Sequence, residues 1–201
     1  MTEKFLDRIY AANDQSEITA LYDEWSASYE AEISANGYAT PARCSEALAT
    51  YATDKTAPVL DFGCGTGLSG LALRLAGFEV VDGVDLSPEM IAVAAKKDTY
   101  RSLHTLASGD PVPQGYALMS AVGSIGPGAA PINVIDTLLH ALQPGGKLVF
   151  SLNERALAGP GNTGMLNEWL DCGAARLLFV ESGPHLPAMD LKATVYVVEK
   201  S

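Results

Sequence analysis

The densest chemistry in the chain is the segment Val59-Leu60-Asp61-Phe62-Gly63-Cys64-Gly65-Thr66-Gly67, an apolar run that breaks into alternating glycines. Glycines at such a turn let the backbone bend sharply and let a ligand come against main-chain atoms. Residues 66–75 have helical spacing, so the unpaired N–H groups of a helix start face the same turn. Asp85 stands 18 residues beyond Gly67, at the end of the next apolar run. An acid at the carboxyl end of the second strand accepts hydrogen bonds from both hydroxyls of a ribose. Together they predict a nucleoside-bearing ligand at the carboxyl edge of a parallel sheet.

Two ligand classes fit that much. Gly65-Thr66-Gly67-Leu68-Ser69-Gly70 matches a dinucleotide fingerprint by letter, and an NAD(P)-dependent oxidoreductase is one alternative. Asp61 argues against it. An acid two residues before Gly63 either faces a ligand ammonium group or braces the turn, and a pyrophosphate disfavours an acid there. Tyr51 and Lys55 have the spacing of a dehydrogenase pair, but they precede the glycine turn.

The elements that must position these residues follow from periodicity. Ile18, Leu21, Tyr22, Trp25, Tyr29 and Ile33 draw one apolar stripe, which predicts a helix through residue 33. Thr40-Pro41 predicts the start of another, with Thr40 as N-cap, running to about residue 52. Strands are predicted at 57–62, 79–85, 103–107, 116–122, 147–152, 175–181 and 193–199, with helices at 66–75, 87–97, 132–142 and 165–172. The alternation predicts an α/β, Rossmann-like three-layer sandwich with a seven-stranded, mostly parallel sheet. No helix separates the last two strands, so the last strand is expected to be antiparallel. Residues 1–55 form an N-terminal helical lid or cap, and residues 56–201 the ligand-binding unit.

Composition narrows the function. A length of 201 residues, with 48% hydrophobic and 18% charged residues, suits one globular core. Net charge is −11, and a surface of that sign repels phosphate backbones, so nucleic acid is not expected as a partner. No apolar run reaches the ~20 residues of a membrane helix, and residues 1–8 lack the pattern of a signal peptide. Cys44, Cys64 and Cys172 are not spaced as metal ligands, and free thiols predict a reducing, cytoplasmic setting.

The chain resembles class I S-adenosylmethionine-dependent methyltransferases. Asp61 to Gly67 is similar to their D-x-G-x-G-x-G motif, Gly83-Val84-Asp85-Leu86-Ser87-Pro88-Glu89-Met90 to their ribose-binding strand end and following helix start, and Leu142-Gln143-Pro144-Gly145-Gly146-Lys147-Leu148 to the turn before their fifth strand. Tyr22-Asp23-Glu24-Trp25-Ser26-Ala27-Ser28-Tyr29 resembles the Y-D-x-W segment of small-molecule members, with the Williams–Beuren-region methyltransferase-like group the nearest in kind. The resemblance implies S-adenosylmethionine as cofactor, S-adenosylhomocysteine as product, and a small-molecule acceptor on a monomer or homodimer. It implies cofactor contacts from Asp61, Gly63, Cys64, Gly65, Thr66, Gly67, Asp85, Leu86 and Ser87. Leu106, Ala107 and Ala121 belong to the same set, with Tyr22, Trp25 and Tyr29 closing over the ligand. All three aromatics also lie on the core stripe of their helix, a reading that needs no ligand.

The chain departs from the family at two places. The acid beside adenine falls at Ala107, with Asp110 three residues on, either a shifted acid or a turn residue, and the fourth strand starts Tyr116-Ala117. A non-catalytic relative that binds a partner is therefore a second alternative. No metal site is expected, and no catalytic base stands out among His104, His140 and His185. His140 is expected at a helix surface. His185, in Gly183-Pro184-His185-Leu186-Pro187, is read as a loop residue, solvated or bordering the acceptor. The loop 123–131, small and apolar, is either a wall of the acceptor site or a plain connector. Ser120-Ala121-Val122-Gly123 lacks the D/N-P-P-aromatic tetrapeptide of the DNA and protein-glutamine amino-methyltransferases it would align with.

Overall fold

The computed structural model describes residue 8 and residues 15–158 and 163–201. Residues 1–7, read above as lacking a signal-peptide pattern, lie outside them. In chain order the elements are α1 (Gln15–Trp25), α2 (Tyr29–Ala35), α3 (Thr40–Tyr51), β1 (Val59–Phe62), α4 (Leu68–Leu75), β2 (Val81–Asp85), α5 (Pro88–Ala94) and β3 (Ser102–Thr105). Then come β4 (Leu118–Ala121), α6 (Val134–Ala141), β5 (Lys147–Asn153), α7 (Glu154–Leu157), α8 (Gly164–Asp171), β6 (Ala175–Leu186) and β7 (Leu191–Lys200).

The strands form one sheet in the order β3-β2-β1-β4-β5-β7-β6. β1 to β5 pair in parallel, and β7 enters antiparallel between β5 and β6. Because β7 is reversed on both sides, β6 runs in the direction of β1 to β5. Its carboxyl end therefore reaches the same sheet edge as the glycine turn, where open α/β sheets bind ligands.

Alternation along the strands feeds two cores. Leu148, Phe150 and Leu152 point to the face covered by α6, α7 and α8, whereas Val149 points to the face covered by α3 and α4. Val198 and Val197 of β7 divide the same way. Cys44 and Leu48 of α3 are fully buried against Val59, Leu73 and Val197, so α3 belongs to the covering layer. The helices α1 and α2 form a third cluster, in which Leu21, Trp25 and Ile33 pack on Leu186 at the end of β6.

Three sequence expectations need correction. The stripe through residue 33 is two helices, because Ser26 Oγ donates to Asp23 O and Ser28 Oγ to Glu32 Oε1, and such local bonds compete with a continuous helix. Thr40 is the first residue of α3 rather than its N-cap, and its hydroxyl is engaged with His185 instead. The last two strands run past the predicted ends. β6 continues through Gly183-Pro184 to Leu186, since an edge strand tolerates a proline, and the register shifts between Pro184 and Leu186.

Candidate active site

β1 delivers the glycine turn to the carboxyl edge, and β2 sets its shape. The N–H groups of Gly63 and Cys64 both donate to Val84 O, at 2.8 and 3.1 Å. Gly63 has a φ of +70°, and a Cβ there would sit 2.4 Å from Ser124 Cβ, so only glycine fits. Gly65, at φ +52°, faces open space with no atom within 4 Å of a built Cβ. That space is the ligand side of the turn.

Asp61 does not face it. The side chain is fully buried under the turn, where Oδ2 accepts from Ser69 Oγ (2.6 Å) and Tyr100 Oη (2.8 Å) and Oδ1 from Ser120 Oγ (2.6 Å). Tyr100 Oη also accepts from Gly70 N at 3.0 Å, and a Cβ on Gly70 would collide with that hydroxyl. The third glycine of the dinucleotide-like letters thus makes room for Tyr100. Asp61 braces the turn; burial pushes its carboxyl upward and the three hydroxyls oppose the shift.

Asp85 stands at the end of β2 with both oxygens engaged by backbone. Oδ2 accepts from Gly65 N at 2.8 Å, and Oδ1 from Ser87 N at 2.9 Å. A carboxylate has about four lone-pair sites, so two remain for ligand hydroxyls. Burial raises its proton affinity and the two amides hold it back. Ser87 caps α5 by accepting from Met90 N, and its hydroxyl donates to Asp23 Oδ1 of α1. A second tie, Lys97 to Glu30, holds α2 against the segment after α5.

The turn, Asp85 and the loop after β3 enclose a cavity of about 430 Å³. Of the residues expected in the site, Gly63, Cys64, Gly65, Thr66, Asp85, Leu86, Ser87, Leu106, Ala107, Tyr22 and Tyr29 line it. Asp61, Gly67, Ala121 and Trp25 do not. Gly67 caps α4 and faces Tyr100 and Ala94, Ala121 is buried in the sheet, and Trp25 is a core residue stacked edge-on against Tyr29. Cys64 borders the cavity, but burial pushes its thiol far up, which leaves an inert neutral sulfur. Thr66 Oγ1 is buried and lacks a partner among the described residues.

The doubtful adenine end resolves into a turn. Asp110 Oδ2 accepts from Ala107 N at 2.9 Å, and both residues line the cavity, so Asp110 is a turn residue that also brings a carboxylate to that wall. Sequence reasoning missed Ile18, Thr19, Tyr38, Met90, Val112, Asn133, Val134 and Thr137, which come from five separate segments. Ile18 carried a signal in its place on the apolar stripe, and Met90 in its place at the helix start after Asp85. The loop 123–131 contributes Gly123, Ser124, Ala129, Ala130 and Pro131. His140 lies exposed on α6 against Trp169, as expected. His185 is not a solvated loop residue: it lies in β6, 8% exposed, with Nδ1 2.8 Å from Thr40 Oγ1.

Among the described residues, the cavity wall carries the carboxylates Asp85 and Asp110 and no lysine or arginine. A diphosphate would meet no cation here. A ligand with a ribose and a positive centre suits the wall. The described residues offer no cluster that could hold a metal ion, and none of their helices is long and apolar enough to cross a membrane.

Comparison with known proteins agrees. A family described as a methyltransferase domain matches residues 37–192. The chain is 32% identical over 148 residues to methyltransferase-like protein 27 of Homo sapiens, a stretch covering 69% of this chain and 60% of that protein. It is 34% identical over 116 residues to a ubiquinone biosynthesis O-methyltransferase of Xylella fastidiosa, covering 51% of this chain and 44% of that one. The match thus spans about half the length of these curated relatives. Others matched over similar spans act, by name, on 18S rRNA and on ribosomal protein L11. Among solved structures, the [4+2]-cyclase SpnF superposes with a TM-score of 0.65 at 17% identity over 94% of this chain and 97% of that one, a likeness of fold alone.

Proposed function

Because this chain belongs to the class I S-adenosylmethionine-dependent methyltransferases, we propose that its methyl acceptor is a small molecule held inside the cavity. The observation that carries this reading is the roof. Ile18, Thr19, Tyr22 and Tyr29 of α1 and α2 line the same cavity as the glycine turn and Asp85, which favours an acceptor small enough to fit beneath them. At about 430 Å³ the enclosed space lies at the small end of ligand sites, with room for the cofactor and a modest partner. The net charge of −11 further disfavours an RNA acceptor.

When bound, S-adenosylmethionine supplies a methyl group on a sulfonium centre. The protein's part is to hold and align. Asp85 accepts from the ribose hydroxyls, Gly65 admits the ligand against the turn, and Leu86, Met90 and Leu106 provide an apolar wall. Tyr22 and Tyr29 close the roof, their rings suited to a nearby cation. Alignment of this kind contributes up to roughly 7–11 kcal/mol to such a displacement. The described helices α1 to α3 act in this reading as cap and covering layer. The buried thiols of Cys44 and Cys64 fit a reducing, cytoplasmic setting.

Calorimetric titration with S-adenosylmethionine, S-adenosylhomocysteine and NADH tests the ligand, and a small-molecule acceptor screen against an RNA substrate tests the acceptor. Binding of the two adenosyl ligands alone, with turnover only on small molecules, is expected. Turnover on RNA would overturn the proposal.

A further inference from the structure

A second void of about 50 Å³ adjoins the cavity at the carboxyl ends of β4, β5 and β6 and shares Tyr22, Tyr29, Tyr38, Gly123 and Ala129 with it. It exceeds the ~10–15 Å³ that one water needs, so it admits a polar substituent but no ring. Its remaining polar lining is Asn153, His185 and the indole of Trp25, and no charged side chain borders it among the described residues.

Among the described residues that line the void, His185 is the one imidazole. Its Nδ1 is fixed 2.8 Å from Thr40 Oγ1, and its ring meets the Tyr38 ring edge-on at 5.4 Å. Nε2 has no protein partner among the described residues. The Tyr38 hydroxyl approaches so closely that a Cβ on Gly123 would lie 2.2 Å from it, which puts Tyr38 at the junction of void and cavity. Arg43 of α3 is the nearby charge; it donates to the carbonyls of Pro184 and Ala193 and so clamps β6 to β7. Burial first, and Arg43 second, lower His185 to about 4, which keeps the imidazole neutral near pH 7.

We propose that His185 Nε2 receives the proton of a neutral hydroxyl on the acceptor, whose body lies in the main cavity and whose hydroxyl reaches the void. The inference rests on the small-molecule reading above and deepens it to alcohols and phenols. As the acceptor oxygen bonds to the incoming methyl carbon, the carbon–sulfur pair stays on sulfur and the oxygen–hydrogen pair stays on oxygen. The proton passes to Nε2 and then to solvent. This role needs the proton of the resting imidazole on Nδ1, donated to Thr40 Oγ1, so Thr40 is a positioning residue.

The test uses full-length protein labelled with ¹⁵N-histidine and saturated with S-adenosylhomocysteine, with phenol as the probe. Long-range ¹H–¹⁵N spectra at pH 7 are expected to show His185 with its proton on Nδ1, and an Nε2 resonance that moves by several ppm on addition of millimolar phenol. Thr40→Val is expected to mix the two tautomers and weaken that response, and His185→Gln to weaken phenol binding about tenfold, the effect of one hydrogen bond. A resting proton on Nε2, or an Nε2 resonance unmoved by phenol, overturns the proposal without need of any variant. Failure of S-adenosylhomocysteine to bind in the same sample would instead strike the cofactor reading, which keeps the two failures apart.

Discussion

Asp85 meets two backbone amides and still keeps lone pairs for a ligand, so its removal should act on binding before it acts on folding. Asp85→Ala is expected to cost about 1.5–3 kcal/mol of S-adenosylhomocysteine affinity, the scale of hydrogen bonds to a charged group; calorimetry reads it directly. His185 makes a prediction of opposite kind. Its folded-state value of about 4 lies below the ordinary 6.5, so the folded protein binds that proton less readily than the unfolded chain. The stability it leaves intact above pH 6.5 is lost as pH falls from 6.5 through 4, by about 3 kcal/mol at the limit. Asp61 and Asp85, raised by burial, work in the other direction, so the readout is the difference between wild type and His185→Gln in urea unfolding at pH 7 and pH 4. That difference should shrink with acid. Asp85 was legible in the sequence because its place follows from a strand and a turn beside it in the chain. The buried state of His185 was not, since it depends on Thr40, 145 residues away.

At the scale of elements, the strand–turn–helix unit of β1 and α4 separates two uses of glycine. Gly65→Ala meets no atom in the protein but carries a positive φ of +52°, so it should cost only about 1–2 kcal/mol of stability while lowering adenosyl-ligand affinity at least tenfold. Gly63→Ala meets Ser124 Cβ at 2.4 Å and should prevent stable folding. Thermal melting paired with calorimetry distinguishes the two variants. The roof makes a separate prediction. Asp23 of α1 accepts from the Ser87 hydroxyl at the ribose end, so Asp23→Ala should release α1 from the ligand loop. Bound S-adenosylhomocysteine is then expected to dissociate several-fold faster in stopped-flow experiments, consistent with a loss of about 1 kcal/mol. The sequence predicted all of the strands by type and misplaced their ends where neighbours decide. β6 runs through a proline because only its edge position makes that harmless, and edge position is a property of the sheet.

For the whole molecule, charge and enclosure point the same way. A chain of net charge −11 whose ligand wall carries carboxylates and no lysine or arginine should not retain RNA in gel-shift assays at physiological salt. S-adenosylhomocysteine at about 100 times its dissociation constant should instead add about 2.7 kcal/mol of stability, seen as a rise in melting temperature. Retention of RNA would redirect the search for the acceptor, and no rise with S-adenosylhomocysteine would strike the cofactor reading.

The sequence by itself determined the alternating α/β order, the glycine turn, the place of Asp85 at a strand end and the methyltransferase resemblance, because each is written in spacings of a few residues to one strand–helix unit. It left open whether Asp61 faces ligand or braces the turn, and whether Trp25 touches ligand or core. Tertiary structure decided both, by bringing Ser69, Tyr100 and Ser120 to Asp61 and by packing Trp25 among Leu21, Ile33 and Leu186. It also decided where His185 lies. The reversal of β7 turns β6 parallel to β5, and only then does His185 arrive at the edge where Gly65 and Asp85 already stand.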